Sequence, residues 1–202
     1  AFVYATPTKN LLAGELKDPV GQPVNDATFE IRSGNETLPG YPLSQGKFAV
    51  HLLAGEYGVR ITDRGRTTFD RKVTLQGNRA TVLSETLSAL SGVALNITDA
   101  GGNSIPCKIQ FSGLNGTETP NLGPQNRAHG CVDQWHSETG KFNVPLDPGT
   151  YRLVITRGIE HNHLVREVTV KAGEFAAVTG SLKRLVNTAG WVSTDFHNHS
   201  TP

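Results

Sequence analysis

The feature that most constrains this chain is that it repeats itself. Residues 46–57 read GKFAVHLLAGEY and residues 140–151 read GKFNVPLDPGTY, an offset of 94 (140 − 46). Seven of those twelve aligned positions are identical and in order, which indicates a tandem duplication. Ile61-Thr62 answers Ile155-Thr156 at the same offset, and RKVTL at 71–75 answers REVTV at 166–170 one residue further on. Upstream, Gly14 of GELKDPVGQP aligns with Gly92 of GVALNITDAGGNSIP at an offset of 78 (92 − 14), so the second copy gains 16 residues (94 − 78). The gain falls in 112–140, a stretch rich in Gly, Pro, Asn and Thr. Loops absorb such length because closure entropy grows only with its logarithm.

Each copy reads as strands. Phe48, Val50 and Leu52 alternate with polar or small residues, as do Tyr57, Val59 and Ile61. Phe142, Val144, Leu146 and then Tyr151, Leu153, Ile155 repeat the pattern. A period of two puts one side of a strand in a core and the other in water. Leu-x-x-Gly-x-Tyr between such runs signals a hairpin. The 22 glycines and 11 prolines, spread along the chain, leave no room for a long helix. The expected fold is all-β: two tandem antiparallel β-sandwich domains, of about six or seven strands each. The expected limits are an arm at 1–8, repeat one at 9–88, repeat two at 89–185, and a linker with a further strand at 186–202.

Composition excludes several functions. The net charge is +1 and there is no dense Lys/Arg run, which argues against nucleic acid or an anionic membrane as partner. No apolar stretch is long enough to span a bilayer. The chain contains no methionine, and its start, AFVYATPTKN, reads like a mature N-terminus after signal-peptide removal; an arbitrary chain boundary would look the same.

The pattern G-x-V/L…D-x-x-G…G-K-F-x-V-x-L-x-x-G-x-Y-x-x-x-I resembles the carboxypeptidase-regulatory-like, transthyretin-like sandwich modules over 9–88 and 89–184. That resemblance implies an exported accessory unit, secreted, periplasmic or at the cell surface, and implies little about activity.

Cys107 and Cys131 are the only cysteines. Cys107 alternates with Ile109 and Phe111, and at offset 78 it takes the place of Phe29, so its side chain is expected to point inward. It is either a buried thiol acting as a small hydrophobe or half of a Cys107–Cys131 disulfide. Closing that loop would contribute about 3 kcal/mol in the chain-entropy picture.

Histidines mark the candidate sites. His51 is expected on a solvent face. His129 and His136 flank Trp135 in the inserted loop, a candidate binding cluster in which Trp135 could stack on a sugar or pack beneath its own loop. His161 and His163 form an H-N-H triplet where the strand VREVTV begins. The chain closes on W-V-S-T-D-F-H-N-H-S-T-P, which places Asp195, His197 and His199 at alternating positions of an extended run. Imidazoles two apart on a strand share a face and can ligate one ion.

This last run resembles the opening strand of the PHP (polymerase and histidinol phosphatase) metallohydrolases, and more narrowly the carbaryl-hydrolase-like CehA/McbA-type branch. The resemblance implies His197 and His199 as first ligands of a divalent ion (Zn, Mn or Fe), with Asp195 a ligand or an orienting group. It also implies metal-activated water attacking a phosphoester, ester or carbamate. The rest of such a catalytic domain is not in this sequence, and two imidazoles alone do not define a working centre. Three readings follow: a non-catalytic N-terminal region of a hydrolase whose catalytic domain is the missing partner; an extracellular binding or self-assembling module, joining through edge strands or through residues 1–9; and a metal site in which His197 and His199 meet His161 and His163.

Overall fold

The computed structural model describes residues 10–41, 44–77, 79–123, 132–192 and 194. These residues form strands and turns with no helix. The first repeat contains β1 (Leu11–Lys17), β2 (Thr28–Ser33), β3 (Glu36–Tyr41), β4 (Lys47–His51), β5 (Gly55–Thr62), β6 (Phe69–Leu75) and β7 (Ala80–Thr86). The second contains β8 (Gly92–Thr98), β9 (Cys107–Leu114), β10 (Gln134–Ser137), β11 (Lys141–Pro145), β12 (Gly149–Thr156), β13 (Leu164–Val170) and β14 (Phe175–Ser181).

The sheets carry the duplication. The first repeat has sheets ordered β4-β1-β7 and β3-β2-β5-β6, and the second has β11-β8-β14 and β10-β9-β12-β13. Adding seven to every strand of the first pair gives the second. Within the first repeat β1 runs antiparallel to β4 and parallel to β7, while β2, β3, β5 and β6 pair antiparallel. The fold is an all-β sandwich in which the first and last strands of the repeat lie side by side.

The alternation explains the core. Phe48 and Val50 of β4, and Val59 and Ile61 of β5, are buried, with exposed or half-exposed residues between them. They join Leu12, Leu16 and Leu83 from the three-stranded sheet and Phe29, Ile31, Val73 and Leu75 from the four-stranded one in a single cluster. The Phe29 and Phe48 rings stack with centroids 4.1 Å apart. Ring stacking adds to the stabilisation from burial. In the second repeat Val144, Leu146, Tyr151, Leu153 and Ile155 are buried as the alternation requires.

One alignment from sequence is wrong. β1 corresponds to β8 at an offset of 81 (92 − 11), not 78. The hydrogen bonds agree: Leu16 N donates to Gly46 O and Ile97 N to Gly140 O, while Leu52 N donates to Asn10 O and Leu146 N to Ser91 O. Asn10 and Ser91, thus matched, are both buried polar residues. For β2 and β9 the register gives 80, because Phe29 faces Ile61 and Ile109 faces Ile155 (109 − 29). Cys107 therefore stands in place of the buried Ala27 rather than of Phe29, though it does point inward and is 6% exposed. Gly14 and Gly92 had suggested the shorter offset, yet they occupy different positions. A side chain on Gly14 would strike Leu83 O and the Phe48 ring; one on Gly92 would strike Val144 O and the Phe175 ring.

By contact density the chain divides into two compact units. Among the described residues, one comprises those up to Val93 with Asn143–Gly149 and Thr169–Ala176; the other comprises those within Ala94–Phe142, Thr150–Val168 and those from Ala177 on.

Candidate functional site

In each repeat the loop after the fifth strand holds the chain that leaves the seventh. In the first, the Asp63 carboxylate accepts from Arg66 Nε at 2.9 Å, and the same guanidinium donates to Ser88 O. Thr67 N donates to Ser88 Oγ at 2.8 Å. The Asp63–Arg66 pair is only 12% and 10% exposed. Burial raises the Asp63 carboxyl above its ordinary range, and Arg66 partly offsets this.

The second repeat reverses the polarity. Here Glu160, from the loop, accepts from Arg184 and from the Thr188 hydroxyl at 2.6 and 2.7 Å. Asn162 N donates to Lys183 O, Lys183 N to Asn162 Oδ1, and Leu185 N to Glu160 O. Glu160 and Arg184 are 30% and 53% exposed. The Thr188 hydroxyl, with Arg184, draws the Glu160 carboxyl below its usual range.

Matching turns follow the first strand of each repeat. Asp18 Oδ1 accepts from Val20 N and Gln22 N, and Asp99 Oδ1 accepts from Gly101 N and Asn103 N. Asp99 is drawn below its ordinary range, first by the Asn103 side chain and then by backbone N–H groups. These carboxylates organise backbone, as Asx turns do.

The extra length of the second repeat lies between β9 and β10, where the first repeat turns at Gly34 and Asn35. Part of it is packed. Leu122 is buried, its N–H donates to Val132 O, and Thr117 Oγ1 accepts from Thr150 N. Gly113 is required there, since a Cβ would come within 2.0 Å of Thr117 O.

Among the described residues, the sequence-derived site residues do not gather into one cluster. His51 is exposed at the end of β4. Trp135 pairs with the buried Ile109 and is itself half-buried, so it faces the core side of β10. His136 is exposed on the other side, and Gln110 donates to Asp133 nearby at 2.8 Å. His161 forms a backbone bridge with Arg184; its ring is half-buried, and Nδ1 is enclosed without a hydrogen-bond partner. His163 is exposed. Cys107 carries a free thiol, and burial pushes it up to about 11 against the opposing pull of Arg157. His129 and Cys131 lie outside the described residues, as do the arm at 1–8 and the terminal Asp195, His197 and His199. Among the described residues no three His, Cys, Asp or Glu side chains gather in a way that could hold a metal ion. Nor is any described helix long and apolar enough to cross a membrane.

Sequence reasoning missed the two exit loops. Their signal was faint: Asp63 and Arg66 are three apart, whereas Glu160 and Arg184 are separated by β13 and β14, which lie in different sheets.

No protein-family model and no curated protein matches the chain. Solved structures are similar to it. A mutant of the shaft pilin SpaA from Lactobacillus rhamnosus GG is 13% identical, with a TM-score of 0.50 over 89% of this chain and 100% of that one. The TIE protein of Bacillus anthracis and a streptococcal ancillary pilin are each 17% identical, with TM-scores of 0.40 and 0.43 over 90% and 89% of this chain. The chain spans 37% of the TIE structure and 63% of the ancillary pilin structure. At such identities the shaft pilin shows a shared fold only.

Proposed function

We propose that this chain is a non-catalytic β-sandwich module of an exported or cell-surface protein, serving as a spacer and as a surface for assembly. The observation that carries this reading is how its polar groups are used. Asp18, Asp99, Asp63 and Glu160 are each engaged in holding backbone turns or the chain leaving a sheet. The shaft pilin contributes a shared fold to this reading, not a shared site. The test is to incubate the purified chain with p-nitrophenyl phosphate and an aryl carbamate, with Zn²⁺ or Mn²⁺ added, and to follow its mass as concentration rises. Absence of turnover with a concentration-dependent mass supports the module. Turnover that depends on added metal overturns it.

A second reading rests on one motif. Trp191–Pro202 resembles the first strand of a PHP-type hydrolase, in which case His197 and His199 would be its first metal ligands, with Asp195 beside them, and the module would be the N-terminal part of that enzyme. Extending the chain past Pro202 would then create metal-dependent hydrolysis that His197→Ala abolishes. Equal Zn²⁺ affinity of the 202-residue chain and its His197→Ala form would dispose of a site shared with His161 and His163.

A further inference from the structure

Four sheets present eight outer strands, and six of them carry features that discourage pairing with another chain. β3 contains Pro39 and Glu36, and β6 carries Asp70, Arg71 and Lys72 in succession. β13 carries Arg166 and Glu167, and β11 ends on Pro145. β4 is short, with Lys47 and His51 at its ends, and β10 has only 4 residues. The remaining two are β7, ATVLSET, and β14, FAAVTGS. They hold the same place in their repeats. β14 has no charge, and the single charge of β7, Glu85, is bound by Arg71. On β7, Leu83 is buried while Val82 is 70% exposed. No described strand lies beyond it.

We propose that the outer edge of β7 pairs antiparallel with β7 of a second copy of this chain about a two-fold axis at Leu83. This rests on the assembly reading above and names its partner. A strand edge offers one row of N–H and C=O groups, which another strand satisfies by extending the sheet. The register follows from the strand itself. Centring on Leu83 is the arrangement that pairs all 7 residues, Ala80 with Thr86 and Thr81 with Glu85 of the second copy. Side-chain faces also match. Leu83 meets Leu83 on the core side, and Val82 meets Ser84 on the solvent side, twice. β1 keeps its parallel partnership with β7, so neither repeat core is disturbed.

The test is sedimentation equilibrium on the full chain over a wide concentration range, with circular dichroism and melting as folding controls. The wild type should move from one chain mass towards two. Val82→Lys with Ser84→Lys sets like charges opposite each other at both contacts and should weaken association by about tenfold or more. Val82→Lys with Ser84→Glu sets opposite charges there and should restore it. Should the double-lysine form fail to fold, Ser84→Arg alone is compared with wild type. A wild type that stays at one chain mass throughout overturns the inference, as does a folded lysine variant that associates like wild type. Association abolished by deleting residues 1–9 yet indifferent to positions 82 and 84 also overturns it, since the joint would then be a donated N-terminal strand. A monomer without hydrolase turnover removes this joint and self-assembly with it, and leaves the non-catalytic spacer standing; metal-dependent turnover removes the module reading whatever the mass.

Discussion

The two repeats share their strand order but fill their centres differently. In the first, Gly14 leaves space beneath Phe48, and the Phe48 ring stacks on Phe29. In the second, the matching positions are Leu95, Phe142 and Ile109: Leu95 and Ile109 are buried, and Phe142 is only half-buried. The volume given up at one strand is recovered at another. Total volume and patterning are what a core must conserve, more than any single residue. The exit loops differ in the same spirit. The first repeat uses a buried Asp63–Arg66 pair, the second a more exposed Glu160–Arg184–Thr188 group of opposite polarity, and both restrain the segment after the last strand.

The largest effect should come from the stacked pair. Phe29→Ala should cost about 3–5 kcal/mol in denaturant unfolding, and Ile109→Ala, at the matching position, about 2–5 kcal/mol. Equal losses would mean that the ring stack adds nothing beyond size. Next comes Gly14→Ala. Its methyl would collide with Leu83 O, a backbone atom, and the expected loss is about 3 kcal/mol. Repacking without loss would show that the close approach of Leu83 O and the Phe48 ring to Gly14 is incidental.

Arg66→Ala strands Asp63 and Ser88 O, for about 2 kcal/mol. Arg184→Ala should cost clearly less, because its partners are wet; the difference in urea midpoints checks this. The smallest effect should be the response to acid. Glu160 is held below its ordinary value, so its contribution is present above the unfolded carboxylate range and is lost as pH falls through the folded value. Asp63 is held above its ordinary value, so the folded state takes up its proton first, and that group favours folding as pH falls through the raised value. Glu160→Gln should therefore flatten the acid limb of the stability curve, and Asp63→Asn should steepen it.

The hairpin signal Leu-x-x-Gly-x-Tyr was legible because alternation and a turn residue act locally; Tyr57 OH even donates back to Leu53 O at 3.1 Å. The same local reading placed Cys107 inside. It failed at the first strands, where two glycines invited an alignment three residues out of register. A glycine says only that a side chain would collide, and the colliding neighbours here sit on distant strands. The candidate sites were least legible. The spacing of His161-x-His163 does not say how deep each ring lies; one is half-buried and the other exposed.

The divergence between Gly14/Phe29 and Leu95/Ile109 also bears on biosynthesis. A nascent polypeptide with two sandwiches of the same strand order risks threading an early strand into the later copy, a characteristic failure of repeat proteins. Because β1 and β8 pack against differently shaped neighbours, each strand is a poor substitute for the other, which disfavours the swapped pairing.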